Sequence, residues 1–139
     1  MTVLDADGLT PETAAELARL MGQLTGAPVP AAHIEAAARH HHLFVALDRQ
    51  GRAMGMACLV VMHLPQGIRL LVESMVVDEC YRGSGIGRAL LDAVVIKAED
   101  YGTREVRLTC RASRVAALAL YQAAGFTLAG TDVYQRSLI

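Results

Sequence analysis

The sequence predicts an α/β fold: one mixed, mostly antiparallel sheet of six or seven strands with about four helices, in a single domain spanning 1–139. Three observations predict it. Apolar runs at 43–47, 53–62 and 68–77 are separated only by short polar turns, the pattern of an antiparallel meander. After Val77 the period changes: a helical stretch from Ile86 to Tyr101, a strand over 105–110, and a second helical stretch after Ser113. Between the meander and the first of these helices stand Gly83, Gly85 and Gly87, a strand-to-helix turn stripped of Cβ atoms at alternate positions.

Taken in order, Thr2-Val3-Leu4 are the sole material for an initial strand, which is either very short or absent. Thr10, Pro11 and Glu12 give a capping hydroxyl, a proline at the first helical position and an acid in the first turn, and Leu17, Leu20, Met21 and Leu24 then recur at helical spacing up to Gly26. A second short helix follows Pro30, through Ile34 to about His40. The meander turns at 48–52 and 65–67. The helix opened by the glycine turn carries Ile86, Leu90, Leu91, Val94, Ala98 and Tyr101 on one stripe and stops at Gly102. In 105–110, Val106 and Leu108 alternate with Arg107 and Thr109, a strand pattern. Ser113 is read as the N-cap of a helix closed by Gly125, and 126–129 and 133–138 as two last strands around a Gly130-Thr131-Asp132 turn.

Composition excludes several classes. With 53% hydrophobic and 19% charged residues and no apolar run near the ~20 residues a bilayer crossing needs, a soluble globular domain without a membrane role is expected. The first fifteen residues carry three acids and no basic or apolar leader, so the default location is cytoplasmic. A net charge of −1, with no Trp, gives neither the basic excess nor the stacking surface that nucleic acid binding uses. Cys58, Cys80 and Cys110 are odd in number and widely spaced, against a disulfide framework or a zinc site. His33 and the His40-His41-His42 run invite a metal reading. Consecutive histidines point in different directions and no cysteine or carboxylate sits at a ligand-like offset, so a helix end passing into a strand is preferred. Met54, Met56, Met62 and Met75 are read as core filling.

The stretch that carries chemistry is 76–88. Its glycines let a ligand approach the main chain, its helix N-terminus presents unpaired peptide N–H groups with about half a positive charge, and Arg82 and Arg88 add full charges. A phosphate or pyrophosphate suits this turn; a flexible loop with a helix cap is the alternative. A dinucleotide fingerprint would need glycine where Arg88 stands, and its ribose-binding acid would fall at Glu105, on the next strand. A Walker A loop would need Lys-Ser/Thr after Gly87, where Arg88 and Ala89 stand.

The turn resembles the acetyl-CoA signature R/Q-x-x-G-x-G/A of the GNAT family of N-acetyltransferases, met by Arg82, Gly85 and Gly87. The segment 117–126 is similar to a second landmark of that family, A-x-x-L-Y-x-x-x-G-F, and it falls about 35 residues after the glycine turn, as the family order requires. The resemblance covers roughly 43–138. It implies a sheet whose fourth and fifth strands splay to admit CoA, here 68–77 and 105–110, and first helices that lie over the acceptor. It implies that Met75, Val76, Val77, Arg82, Gly83, Ser84, Gly85, Ile86, Gly87 and Arg88 contact the cofactor, acetyl-CoA as co-substrate, with no metal. Arg114 stands where many members carry an Asn and is taken as a further cofactor contact. Cys80 replaces a usual Pro or Glu, which leaves one more N–H in the loop.

The implied reaction moves an acetyl group from the CoA thioester directly to a primary amine. An alkyl ammonium has a pKa of about 10 and must lose a proton before attacking. Glu73, flanked on its strand face by Leu71 and Met75 in an apolar setting, is the candidate base; a strand-end carboxylate paired with Arg69 is the alternative. Tyr121 is the candidate donor to the departing thiolate, against a packing role in the core. Main-chain N–H groups near 75–77 would stabilise the oxyanion. Cys80 and Cys110 are weighed as acyl-accepting nucleophiles, Cys80 with a pKa depressed by a nearby helix N-terminus, and buried or incidental thiols are preferred. The acceptor is a small-molecule or peptide amine, and a homodimer stays open. A non-catalytic CoA-binding or metabolite-sensing module is the second reading, and a toxin acting on charged tRNA, which would want a basic acceptor face, the third.

Overall fold

The computed structural model describes residues 2–139, the side chains of residues 2 and 4–6 excepted. It falls into two compact units, Met1–Thr109 and Cys110–Ile139. In the first unit the order is β1 (Thr2–Asp5), α1 (Pro11–Thr25), α2 (Ala31–His40), β2 (His42–Leu47), β3 (Ala53–Leu64), β4 (Gly67–Val77) and α3 (Ile86–Glu99), with 3-10 turns at Ala6–Gly8 and Glu79–Tyr81. The strands form one sheet in the order β1-β2-β3-β4, every neighbour antiparallel.

Local signals set the helix ends. The Thr10 hydroxyl accepts the Thr13 N–H at 3.2 Å, Pro11 opens α1, and Gly26 closes it in the left-handed region at φ 90°. The apolar stripe of α1 buries Ala14, Leu17, Ala18 and Leu20 in a cluster with Ile34 of α2 and with Leu43, Val45, Met56, Cys58 and Val76 of the sheet. Successive strand residues point to opposite faces, and Gly55, one place before Met56, faces Leu90 of α3. Helices therefore cover both faces: α1 and α2 one, and α3, with Ile86, Leu90, Leu91, Val94 and Ala98 buried, the other. No helix among the described residues is long and apolar enough to cross a membrane.

Among the described residues the sheet has four strands, not six or seven. Of 105–110 only Arg107 joins it, in a parallel bridge to Leu71: the Val72 N–H donates to the Arg107 carbonyl at 2.8 Å and the Arg107 N–H to the Leu70 carbonyl at 3.0 Å. The second unit contains α4 (Val115–Ala123), and 126–129 and 133–138 form no strand. Strands exist by pairing, and 133–138 offers no single apolar face to hold a register: Val133, Tyr134 and Leu138 fall on both sides of the alternation and are 80–92% exposed. The predicted Ser113 cap is also corrected, since the N-cap is Arg114 and no side chain caps α4. The C-terminal end of α4 follows expectation, with Gly125 at φ 93° and the Phe126 N–H donating to the Tyr121 carbonyl at 3.0 Å.

Candidate active site

The site is built on the second half of β4. Cys58 of β3 pairs with Glu73, but Met56 pairs with Val76, so β4 uses three steps where β3 uses two. The extra residue is a β-bulge, and Ser74 sits in it at φ 53°, a left-handed conformation rare outside glycine. Ser74 and Met75 have no register partner on β3. The bulge also shifts the alternation, so Met75 and Val76 are both buried. Glu73, expected in an apolar setting, is exposed instead, and among the described residues no ion pair joins it to Arg69. Its charge is still felt across the strand: the Cys58 thiol is pushed up to about 11, first by burial and then by Glu73. A non-glycine residue in this region costs about 1–2 kcal/mol. Ser74→Gly is accordingly expected to raise Tm by about 2–6 °C in a melting experiment.

The glycine turn follows directly. Asp78 accepts the Cys80 N–H at 3.0 Å, Glu79–Tyr81 make one 3-10 turn, and Gly83 and Gly85 take φ 82° and 85° before α3 begins at Ile86. A Cβ placed on Gly83 or Gly85 would meet nothing within 4 Å, so the space above this backbone is open. Ile86, 3% exposed, anchors the helix start beneath it. Arg82 donates from Nε to the Val77 carbonyl at 3.2 Å, bracing the end of β4, and the Ser84 hydroxyl donates to the Tyr81 carbonyl. Gly87 lies inside α3, and Arg88 is turned along it to Asp92 at 2.9 Å. Tyr81 donates its hydroxyl to Asp48 Oδ2 at 3.2 Å, tying the turn to the β2–β3 connection. The Asp48 carboxyl is held below its usual range, chiefly by the Arg52 N–H, and burial, then Asp48, pushes the Tyr81 phenol up. The Cys80 thiol is pushed up as well, first by the Asp78 carboxylate, opposite to the depressed pKa that an activated thiol would need.

Two residues of this site escaped the sequence reading. Ser74 gave no sign because serine rarely marks a left-handed position. Gly55 stood in a strand as an unremarked glycine, a common signal of close backbone approach. A Cβ there would lie 2.8 Å from the Val76 carbonyl oxygen and 3.2 Å from Leu90. Gly55 lets the strand after the bulge and α3 close on β3.

Tyr121 and Arg114 belong to the second unit. Tyr121 is 6% exposed, with its ring 6.2 Å from that of Phe126. Burial holds its proton on above the ordinary phenol range, partly offset by the Arg114 cation, so the hydroxyl is a donor at neutral pH. Two histidines of the run make contacts within the fold: His41 Nδ1 accepts the Val61 N–H at 3.3 Å and His42 meets the Tyr101 hydroxyl at 2.5 Å. Among the described residues no group of three or more His, Cys, Asp or Glu is placed to hold a metal ion.

The model of the acetyltransferase (GNAT) family matches residues 14–126, from α1 through the glycine turn to Phe126. The chain belongs to the GNAT family. Among curated proteins this GNAT chain is 32% identical over 91 residues to a mycothiol acetyltransferase of Propionibacterium freudenreichii, covering 66% of this chain and 29% of that protein. It is 42% identical over 53 residues to the [ribosomal protein bS18]-alanine N-acetyltransferase of Escherichia coli, covering 38% and 36%. The matches thus span about a third of the length of these relatives. Among solved structures, an acetyltransferase of Trypanosoma brucei has the same fold at a TM-score of 0.80 and 24% identity, covering 98% of this chain and 99% of that one. The aminoglycoside N-acetyltransferase AAC(6')-Iy in complex with CoA matches at 0.78 and 19%, covering 99% and 95%.

Proposed function

We propose that this GNAT chain binds acetyl-CoA at the glycine turn and transfers the acetyl group to the nitrogen of a primary amine. The observation that carries the reading is the open, Cβ-free backbone at Gly83 and Gly85, directly after a bulged strand and at a helix N-terminus. A pyrophosphate fits there, because the unpaired N–H groups of the first turn of α3 donate to it and the helix dipole favours its charge. Gly83, Ser84, Gly85, Ile86 and Gly87 would hold it through their main chain. Arg82 and Arg88 would add positive charge, and Met75, Val76 and Val77 would contact the acyl-bearing arm. Bound acetyl-CoA would supply a thioester carbonyl for the amine to attack.

Glu73 accepts the ammonium proton. Its exposed carboxylate stands one residue before the bulge, where water and acceptor both have access. Main-chain N–H groups near 75–77, beside the bulge, are assigned to the oxyanion charge. Tyr121, protonated through the neutral range, donates to the departing sulfur, with Arg114 assigned to the cofactor. The acceptor is a small-molecule or peptide amine: the relatives are named for mycothiol, a ribosomal protein alanine and aminoglycosides, and no acceptor motif occurs in α1 or α2.

Thiol release from acetyl-CoA over a panel of amines tests this reading, and acceptor-dependent release is the expected result. In the same assay Glu73→Gln is expected to lower turnover at least ~10-fold with CoA affinity unchanged, since a base serves the amine and not cofactor docking. The loss should shrink as pH rises and free amine becomes available. A loss independent of pH would assign Glu73 a structural role.

A further inference from the structure

Helix α1 meets the turn after β4 through the side chain of Gln23. Glu16 and Gln23 are seven residues apart, two helical turns, and so share a face. Glu16 Oε2 accepts the Ala53 N–H at 2.8 Å, at the start of β3. Gln23 does the corresponding work beyond the end of β4: its Oε1 accepts the Glu79 N–H at 2.9 Å, and its Nε2 donates to Asp78 Oδ1 at 3.3 Å. The orientation of the amide is fixed by its partners, because a peptide N–H only donates and an ionised carboxylate only accepts. Asp78 Oδ1 also accepts the Cys80 N–H, so one carboxylate oxygen joins α1 to the 3-10 turn that leads into Gly83. The helix itself is seated by Leu17 and Leu20, 0% and 6% exposed, and does not shift freely.

We propose that Gln23 is a positioning residue for acetyl-CoA: it fixes Asp78–Cys80 against α1, so that the N–H groups at 83–87 are arranged before the cofactor arrives. The claim rests on the cofactor reading above. A pre-arranged donor set binds without first being ordered, so losing the clamp weakens binding and leaves acyl transfer at saturation intact. The amide is needed as such. A glutamate at 23 has no donor for Asp78 and sets a second carboxylate against it.

The test compares wild type with Gln23→Ala and Gln23→Glu in the full chain. Titration with CoA is expected to show affinity about 5- to 20-fold weaker in Gln23→Ala, the loss of two modest hydrogen bonds, and weaker still in Gln23→Glu. The KM for acetyl-CoA should rise with Kd while kcat stays within twofold. In the free protein, amide resonances of Gly83 and Gly85 should shift and exchange faster with solvent in both variants. A lower Tm with unchanged CoA affinity and unchanged glycine amides would make Gln23 a helix staple only and overturn the proposal. The cofactor reading fails separately: wild type that does not bind CoA, with glycine amides that still respond to Gln23→Ala, would keep the clamp and remove acetyl-CoA as its guest.

Discussion

Gly85→Val is expected to abolish CoA binding in a protein that still folds. Gly85 is the N-cap of α3 at φ 85°, and nothing lies within 4 Å of the place a Cβ would take. The Cβ of a valine there has open space beyond its chain neighbours, so its folding cost is chiefly the backbone strain of a β-branched residue at positive φ, about 1–3 kcal/mol. Its branched side chain instead enters the space above the turn and moves the dihedrals that aim the N–H groups. Two charge-assisted hydrogen bonds lost at about 1.5–3 kcal/mol each remove at least ~100-fold in affinity. Gly102→Val is the control: Gly102 has φ 67° and equally open surroundings at the far end of α3, so it carries the same strain and should keep CoA affinity.

Tyr121→Phe is expected to lower turnover ~10²-fold or more, the lower range for general acid catalysis, with acetyl-CoA binding unchanged. The ring is buried beside Phe126 and is retained, so Tm should stay within a few degrees of wild type. The sign of the pH dependence follows from the raised phenol pKa. A protonated donor is present throughout the neutral range and is lost only as pH climbs through that raised value. The wild-type advantage over the Phe variant should therefore persist from neutral pH upward and narrow only in strong alkali. Wild-type turnover in the variant, with a confirmed acceptor and saturating acetyl-CoA, would leave Tyr121 as a packing residue.

What was legible in the sequence is what neighbouring residues decide. Thr10-Pro11-Glu12 and Gly26 bound α1 because a cap, a proline and a left-handed glycine act within one turn of themselves. The glycine turn was legible for the same reason, and Gly83 and Gly85 take left-handed conformations in it. Strands 126–129 and 133–138 failed because a strand is made by its neighbour, which sequence alternation does not reveal. Strand 105–110 kept only Arg107 for the same reason. The bulge at Ser74 depends on a register with β3, and it takes Met75 off the face it was expected to share with Glu73, which is exposed. Gln23 was silent because its partners, Asp78 and Glu79, lie 55 and 56 residues away.

The central claim, that the open glycine turn is a CoA site, is tested most directly by calorimetric titration of the unaltered chain with CoA. Saturable binding at one site per chain, competed by acetyl-CoA and lost in Gly85→Val, is the result predicted. No binding at millimolar CoA, or binding that Gly85→Val leaves unchanged, would contradict it.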